Sequence, residues 1–146
     1  MWRTYSRSHT TRLDWRSRLN NAMFEALLWL FIKHFICDFP LQACPWMYRN
    51  KGTYGHPGGL THSAIHGTGA FIVLAFWFGT GAWIYALIDF ITHYHIDWAK
   101  MNTSKKFNIR PDNSEWFWIL LGFDQLLHHL TYFAIIAIAF HNISPI

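Results

Sequence analysis

The chain has 146 residues, which is the length of a single domain. Apolar residues make up 52% of it and aromatic residues 19%, whereas charged residues contribute only 14%. An ordinary soluble domain carries about 25% charged residues, so the composition argues against a soluble domain and indicates a membrane protein. The formal net charge of +4 is concentrated near the N-terminus.

Residues 1–20 are polar and rich in arginine, with aromatic residues and leucine interleaved. The arginines are Arg3, Arg7, Arg12, Arg16 and Arg18. Beside a membrane span, such a segment is expected to lie on the bilayer surface as an amphipathic arm attracted to anionic lipids. A nucleic-acid-binding arm is the alternative, although no specific nucleic acid is predicted. The segment lacks a small-residue cleavage site, so we expect the first helix to be retained.

Four apolar windows predict four transmembrane helices, at residues 22–41, 60–78, 81–98 and 116–140. Each is about as long as the 20 residues needed to cross the hydrocarbon core. The first window is the most polar, because it also carries Glu25 and Lys33. The predicted fold class is all-α, an integral-membrane bundle of about four helices over residues 21–146 that follows the basic arm.

Ligand-type residues occur in pairs, four residues apart, on every predicted helix. The pairs are His34 and Asp38, His62 and His66, His93 and Asp97, and Asp124 and His128. Residues four apart share a helix face, so each helix can direct two of these side chains toward the bundle interior. In an up-and-down bundle, all four pairs fall toward the same side of the membrane. We therefore expect one shared polar site.

A divalent metal ion would compensate the cost of placing several carboxylates inside a bilayer. Histidine and aspartate ligands favour zinc, with manganese or iron as alternatives. All eight paired residues are predicted ligands. They suffice for two ions, or for one ion if some of them only orient the others. The other interpretation is that the pairs lie at the membrane interface or form a hydrogen-bond network without metal.

If the site is catalytic, Asp38 or Asp124, whichever is not a ligand, is predicted to accept a proton from metal-activated water. Lys100, Gln42 and Gln125 lie close to the predicted site and are candidates for binding an anionic lipid head group. The alternative for these residues is that the lysine sits at the lipid surface and the glutamines tie helices together.

Four segments carry a family resemblance: HFICDFPLQ, THSAIH, HYHIDWAK and GFDQLLHH. In this order they resemble an uncharacterised family of small integral-membrane proteins of bacteria and tailed phages. Its pattern is HxxxDFxLQ, a central His pair, HxxxDxxK and DQxxH, and the resemblance covers residues 34–129. THS followed by HYHID is also similar to the membrane-bound metal-dependent hydrolases, which implies that His62, His93 and Asp97 are metal-site elements. The acidic cluster that those hydrolases place upstream of THS is missing, and Asp38 is present instead.

Three functional classes remain open, and whether the chain is an enzyme is undecided among them. The first is a membrane-embedded metal-dependent hydrolase acting on a lipid or lipid-linked phosphate. The second is a non-catalytic phage or bacterial membrane protein with a structural His and Asp cluster, which modulates a host process or binds a membrane-protein partner. Ion transport or haem ligation ranks last, because the far halves of the second and fourth helices are almost without polar residues. The expected location is the bacterial inner membrane, with the N-terminus in the cytoplasm.

Overall fold

The computed structural model describes residues 4–141, and for residues 4–13 only the backbone is described. This part of the chain contains helices and no strand. The helices are α1 (Thr4–Asp38), α2 (Pro45–Asn50), α3 (Pro57–Phe78), α4 (Trp83–Lys106) and α5 (Trp116–His141), with a short 3-10 turn, Gly79–Ala82, between α3 and α4. The all-α prediction is therefore confirmed for the described residues.

Helix α1 is longer than the first predicted span, because it runs without a break from Thr4 to Asp38. Most of the predicted arm and the predicted span thus share one helix. Pro40 ends it, since a proline has no N–H to donate and its ring prevents a further helical turn. Arg3, Arg7 and Arg12 lie outside the residues whose side chains are described, so the contact of the arm with lipid stays a prediction.

Helices α3 and α4 form a hairpin that turns at Gly79. This residue has φ of 54° and ψ of −137°, and its N–H donates a hydrogen bond to the carbonyl of Ala75. A side chain would strain that backbone conformation, so glycine suits the position. Helix α4 continues to Lys106, beyond its predicted end at residue 98. Lys105 and Lys106 favour this extension, because cations stabilise the negative end of the helix dipole.

A short helix, α2, lies within the segment that the sequence predicts as a loop, and it packs against α3. Pro45 opens α2, and Pro57 opens α3. The two helices approach so closely at Gly58 that a Cβ there would lie 2.6 Å from the carbonyl oxygen of Trp46. This packing holds Lys51, which follows α2 directly, at one end of the bundle.

The four long helices form a ring. Helix α1 contacts α3 and α5, and helix α4 also contacts α3 and α5. The order around the ring is therefore the order along the chain. This arrangement brings the C-terminal end of α1, the start of α3, the second half of α4 and the first half of α5 to the same end of the bundle.

Unlike a soluble domain, the bundle buries several charged side chains and exposes many large apolar ones. The buried charged residues are Lys33, Lys51, Asp38, Asp89, Asp97 and Asp124. Large apolar side chains are exposed on every long helix, among them Phe24 at 68%, Phe76 at 84%, Ile84 at 48% and Phe133 at 52%. An exposed apolar surface of this extent is typical of a membrane or partner contact.

Two helical stretches in the described part are long and apolar enough to cross a membrane. They are Pro57–Lys106, which comprises α3 and α4, and Trp116–His141, which is α5. Their mean hydropathies are 1.9 and 1.3. Helix α1 does not meet the same test, and its apolar part contains Glu25, Lys33 and Asp38. The described chain thus suggests membrane association.

Replacing Gly58 with alanine should destabilise the fold, because the new methyl group would overlap a backbone oxygen of α2. We expect the free energy of unfolding to fall by about 1–3 kcal/mol. Circular dichroism of denaturant unfolding in detergent micelles measures it. Gly122→Ala in α5 is the matched control, because its Cβ meets nothing within 4 Å and should be neutral or stabilising. Equal stability of the two variants would contradict the close packing of α2 on α3.

Candidate metal centre

The eight residues predicted as metal ligands are all buried and lie together at one end of the ring. Each long helix contributes one pair: His34 and Asp38 from α1, His62 and His66 from α3, His93 and Asp97 from α4, and Asp124 and His128 from α5. The spacing of four residues places each pair on one helix face, and the ring turns these four faces inward. The structure therefore brings all eight side chains into one cluster.

The tightest set, called here the first ligand group, consists of Asp38, His62, His66 and His93, whose ligand atoms lie within 4.8 Å of one another. Asp38 Oδ1 is 3.2 Å from His62 Nε2 and 3.3 Å from His66 Nε2. His62 Nε2 is 3.0 Å from His93 Nε2. Ligands of a tetrahedral zinc ion lie about 2.0–2.1 Å from the metal, which places them about 3.3 Å from each other. The group therefore has spacings that suit one tetrahedral ion.

A second set overlaps the first and consists of His93, Asp97 and His128. Asp97 Oδ2 lies 3.3 Å from His62 Nε2 and 3.4 Å from His93 Nε2. Its other oxygen, Oδ1, lies 3.8 Å from His128 Nε2. Asp124 Oδ1 in turn lies 3.7 Å from His128 Nε2. The carboxylate of Asp97 thus stands between the first ligand group and the α5 pair.

Several buried ligand atoms make no hydrogen bond within the described residues. They include Asp38 Oδ1, His66 Nε2, Asp124 Oδ1 and His128 Nε2. A buried polar atom without a partner costs about 1–3 kcal/mol, so several in one place call for an explanation. One divalent cation would satisfy nitrogen and oxygen lone pairs at the same time. The donor set therefore fits a metal ion.

A hydrogen-bonded chain supports Asp38 from outside the first ligand group. Lys33 Nζ lies 3.0 Å from the Tyr132 hydroxyl, which lies 3.0 Å from His34 Nδ1. His34 Nε2 lies 3.0 Å from Gln125 Oε1, and the Gln125 amide donates to Asp38 Oδ2 at 3.0 Å. Lysine only donates and an ionised carboxylate only accepts, so the chain has one direction. Tyr132 donates to His34 Nδ1, and His34 Nε2 donates to Gln125.

This direction uses both ring nitrogens of His34, so the contacts favour a role in orienting its neighbours over the predicted role as a ligand. Sequence spacing could not make that distinction, because an orienting residue and a ligand occupy the same position in the pattern. The difference lies in what stands opposite each ring. Opposite His34 Nδ1 is the Tyr132 hydroxyl, and opposite His34 Nε2 are the Gln125 amide oxygen and, at 3.2 Å, Asp38 Oδ2.

A buried ion pair lies one helical turn further into the bundle. Lys33 Nζ is 2.5 Å from Asp89 Oδ2 and 3.1 Å from the carbonyl oxygen of His66. The exposed fractions of the two charged side chains are 6% and 1%. The pair thus links α1 to α4 beneath the metal-ligand cluster.

The sequence contained a signal for part of this deeper layer. Asp89 precedes His93 by four residues and Tyr132 follows His128 by four, so each continues the spacing of its helix by one step. Extending the pattern would have found both residues. Lys33 gives no such signal, because it adjoins His34 and has no partner at the same spacing.

Lys51 is a further charged residue of the site, and the sequence places it only in a loop. Its Nζ lies 2.9 Å from Asp97 Oδ2 and 4.0 Å from Asp38 Oδ1. Helix α2 delivers it, since α2 packs against α3 and Lys51 follows α2. A contact made by a loop residue through tertiary packing has no periodic signature in the sequence.

A pocket of about 370 Å³ borders the cluster at this end of the bundle. Its polar lining comprises Asp38, Asp97, Asp124, Lys51, Lys100, Gln42, Gln125 and Tyr48. Lys100 Nζ lies 3.9 Å from Asp124 Oδ2, and the Gln42 side chain donates to the carbonyl oxygen of Asp38. The three predicted head-group residues, Lys100, Gln42 and Gln125, thus all border one pocket, and their binding of a head group stays a prediction.

The chain matches a known protein family. A family described as "Protein of unknown function (DUF3307)" matches residues 26–145. The chain belongs to this family. The matched region contains all eight predicted ligands and the residues of the deeper layer, and it leaves out the whole predicted N-terminal arm, residues 1–20. No curated protein and no solved structure matches the chain.

Asp89→Asn should lower the free energy of unfolding by about 3–5 kcal/mol, because it leaves the buried Lys33 ammonium without a charged partner. Denaturant unfolding in micelles measures the loss. The double variant Lys33→Met and Asp89→Leu should recover much of it. Asp112→Asn is the control, since its carboxylate is exposed and pairs with an exposed Arg110. If Asp89→Asn were as stable as Asp112→Asn, the buried pair would not contribute to the fold.

Proposed function

We propose that the protein is a membrane-embedded metal-binding protein with one divalent-metal centre at one end of a four-span helical bundle. The observation that carries this proposal is the first ligand group. Four ligand atoms from three helices lie within 4.8 Å of one another, and Asp38 Oδ1 and His66 Nε2 among them make no hydrogen bond within the described residues. Three imidazoles and one carboxylate favour zinc, with manganese or iron as alternatives.

Membrane insertion is supported by the reversed distribution of side chains. Exposed apolar residues cover the outer faces of the long helices, while five charged residues of the same helices are buried: Lys33, Asp38, Asp89, Asp97 and Asp124. Glu25 of α1 is exposed. Helices α3, α4 and α5, which follow one another around the ring, lie in stretches apolar enough to cross a bilayer. Helix α1 completes the ring, and its Lys33 and Asp38 face the interior rather than lipid. This is the basis for four spans.

The remaining parts of the proposal concern location and partners. The basic arm would contact anionic lipid, as its composition suggests. We also propose that the protein lies in the bacterial inner membrane with its N-terminus in the cytoplasm, and that it binds a membrane-protein partner. Ion transport is less well supported, since the described core below the polar layers is apolar and includes Leu30, Leu74, Ile135 and Phe140.

Purified protein in detergent should contain zinc, manganese or iron in near-stoichiometric amounts by elemental mass spectrometry. His62→Ala and Asp97→Asn should each lose at least ten-fold in metal affinity, because each removes a group of the cluster. His95→Ala is the control. That residue lies two positions from both His93 and Asp97, on the opposite side of α4. It is exposed, and its ring contacts Ile91 and Tyr54. Absence of metal in wild-type protein, even after reloading, would leave a hydrogen-bonded polar core as the better account.

A hydrolase of lipid or lipid-linked phosphate is the second candidate function, and the pocket favours it. Three carboxylates and two lysine ammonium groups border a space large enough for a head group. A bound metal would lower the pKa of its water ligand and polarise a phosphoryl oxygen. Asp38 or Asp124, whichever is not a ligand, would accept the proton of that water. Lys51 and Lys100 would hold the anionic oxygens, while Gln42 and Gln125 fix the position of Asp38.

Metal-loaded protein in mixed micelles should release phosphate from phosphatidic acid if the pocket is catalytic. Asp124→Asn should lower the rate by about 10²-fold or more, because it removes a carboxylate from the pocket lining. Lys105→Met is the control, because it changes an exposed lysine near the end of α4, and it should leave the rate unchanged. Metal binding without phosphate release from this lipid and other lipid phosphates would retain the metal centre and reject the hydrolase.

A further inference from the structure

The first ligand group includes only four of the eight clustered residues, and it leaves the α5 pair without a role in metal binding. Asp124 Oδ1 and His128 Nε2 are buried, lie 3.7 Å apart and make no hydrogen bond within the described residues. We infer that Asp97, Asp124 and His128 hold a second divalent ion beside the first, at the pocket wall. These three residues are called here the pocket-side site. The inference rests on the proposed metal centre and deepens it.

The positions of the two Asp97 oxygens support two ions rather than one. Oδ2 lies 2.9 Å from Lys51 Nζ and also faces His62 and His93 of the first ligand group, whereas Oδ1 faces His128. A carboxylate with one oxygen toward each of two ligand sets is placed to bridge two metal ions, which in hydrolytic pairs lie about 3.5–4 Å apart. His93 Nε2 can coordinate only one of them, and its 3.0 Å approach to His62 assigns it to the first.

Access to the pocket separates the two sites. Two of the three residues of the pocket-side site, Asp97 and Asp124, line the pocket, whereas Asp38 is the one member of the first ligand group that does so. The first ion would therefore be held mainly by histidines away from the pocket, and the second would lie nearer to it, with a coordination position open to water or to a ligand in the pocket. An open position is what a metal needs to act on a substrate.

The donor types of the two sites also differ. The first ligand group offers three nitrogens and one oxygen, whereas the pocket-side site offers two carboxylates and one imidazole. Oxygen-rich sites suit manganese better than nitrogen-rich ones do. We therefore expect zinc to favour the first site and manganese to occupy the second readily.

The balance of charges around the pocket indicates which ligand the pocket binds. Four aspartates, Asp38, Asp89, Asp97 and Asp124, face three lysines, Lys33, Lys51 and Lys100, with the histidines neutral as ligands. Two divalent ions would leave three excess positive charges in an apolar surrounding, where uncompensated charge is costly. A phosphate monoester dianion together with one hydroxide carries three negative charges. The pocket of the two-ion centre thus fits a phosphate monoester. In this two-ion arrangement Asp38 and Asp124 are both ligands, so neither is the base that the single-ion hydrolase requires.

Metal titration of the detergent-purified protein tests the second site. Wild type loaded with manganese should bind two ions per chain by elemental mass spectrometry, and its electron paramagnetic resonance spectrum should show exchange coupling between them. Asp124→Asn and His128→Gln should each bind one ion and show an uncoupled six-line manganese spectrum. Asp112→Asn, an exposed aspartate outside the cluster, should behave as wild type.

The outcomes separate this inference from the metal centre itself. One ion per chain in wild type, unchanged in Asp124→Asn, would overturn the second site and leave the first. No ion in wild type would overturn both. Loss of both ions in Asp124→Asn, with wild-type helix content and unfolding midpoint, would overturn the inference too, because the sites would then not be separable. The number of manganese ions per wild-type chain and the wild-type spectrum test the second site even if a variant fails to fold.

Discussion

Burying ionised aspartates inside a bundle with apolar outer faces requires a compensating charge for each of them, and most features of this structure follow from that requirement. Asp89 pairs with Lys33 at 2.5 Å and Asp97 with Lys51 at 2.9 Å. Asp124 lies further from a lysine, 3.9 Å from Lys100 Nζ, and accepts a hydrogen bond from the Gln125 amide. Asp38 is surrounded mainly by imidazoles. The lysines do not satisfy every oxygen, since Asp38 Oδ1 and Asp124 Oδ1 accept no hydrogen bond from the described part of the chain. Metal binding is the simplest way to complete the compensation.

The bundle separates a polar half from an apolar half, and Tyr132 marks the boundary. Its ring belongs to the apolar core with Leu30 and Ile135, whereas its hydroxyl joins Lys33 to His34. Tyrosine suits such a boundary because one end of its side chain is apolar and the other needs a hydrogen-bond partner. The polar half is thereby closed on the side of the core and approached from the pocket.

The recurrence of His and Asp every four residues predicted which faces would meet, and the structure brings His62, His66, His93 and Asp97 together as that spacing indicates. The spacing predicts the helix face on which a side chain lies, but not the residue that the side chain contacts. It therefore could not tell His34, whose nitrogens contact Tyr132 and Gln125, from a ligand. It also missed Lys51, which reaches Asp97 from outside the predicted spans through the packing of α2 on α3. Helix ends were predicted less well than helix positions, since α1 begins at Thr4 and α4 ends at Lys106.

The continuity of α1 has a topological consequence. A helix of 35 residues is about 52 Å long at 1.5 Å per residue, which exceeds the hydrocarbon thickness of about 30 Å. If the bundle spans a bilayer, as we propose, the N-terminal part of α1 and Asp38 therefore belong to opposite faces of that bilayer. The arginine-rich segment and the mouth of the pocket are then exposed to different compartments. A bound head group would come from the leaflet distal to the N-terminus, so the orientation of one terminus specifies the compartment that supplies the ligand.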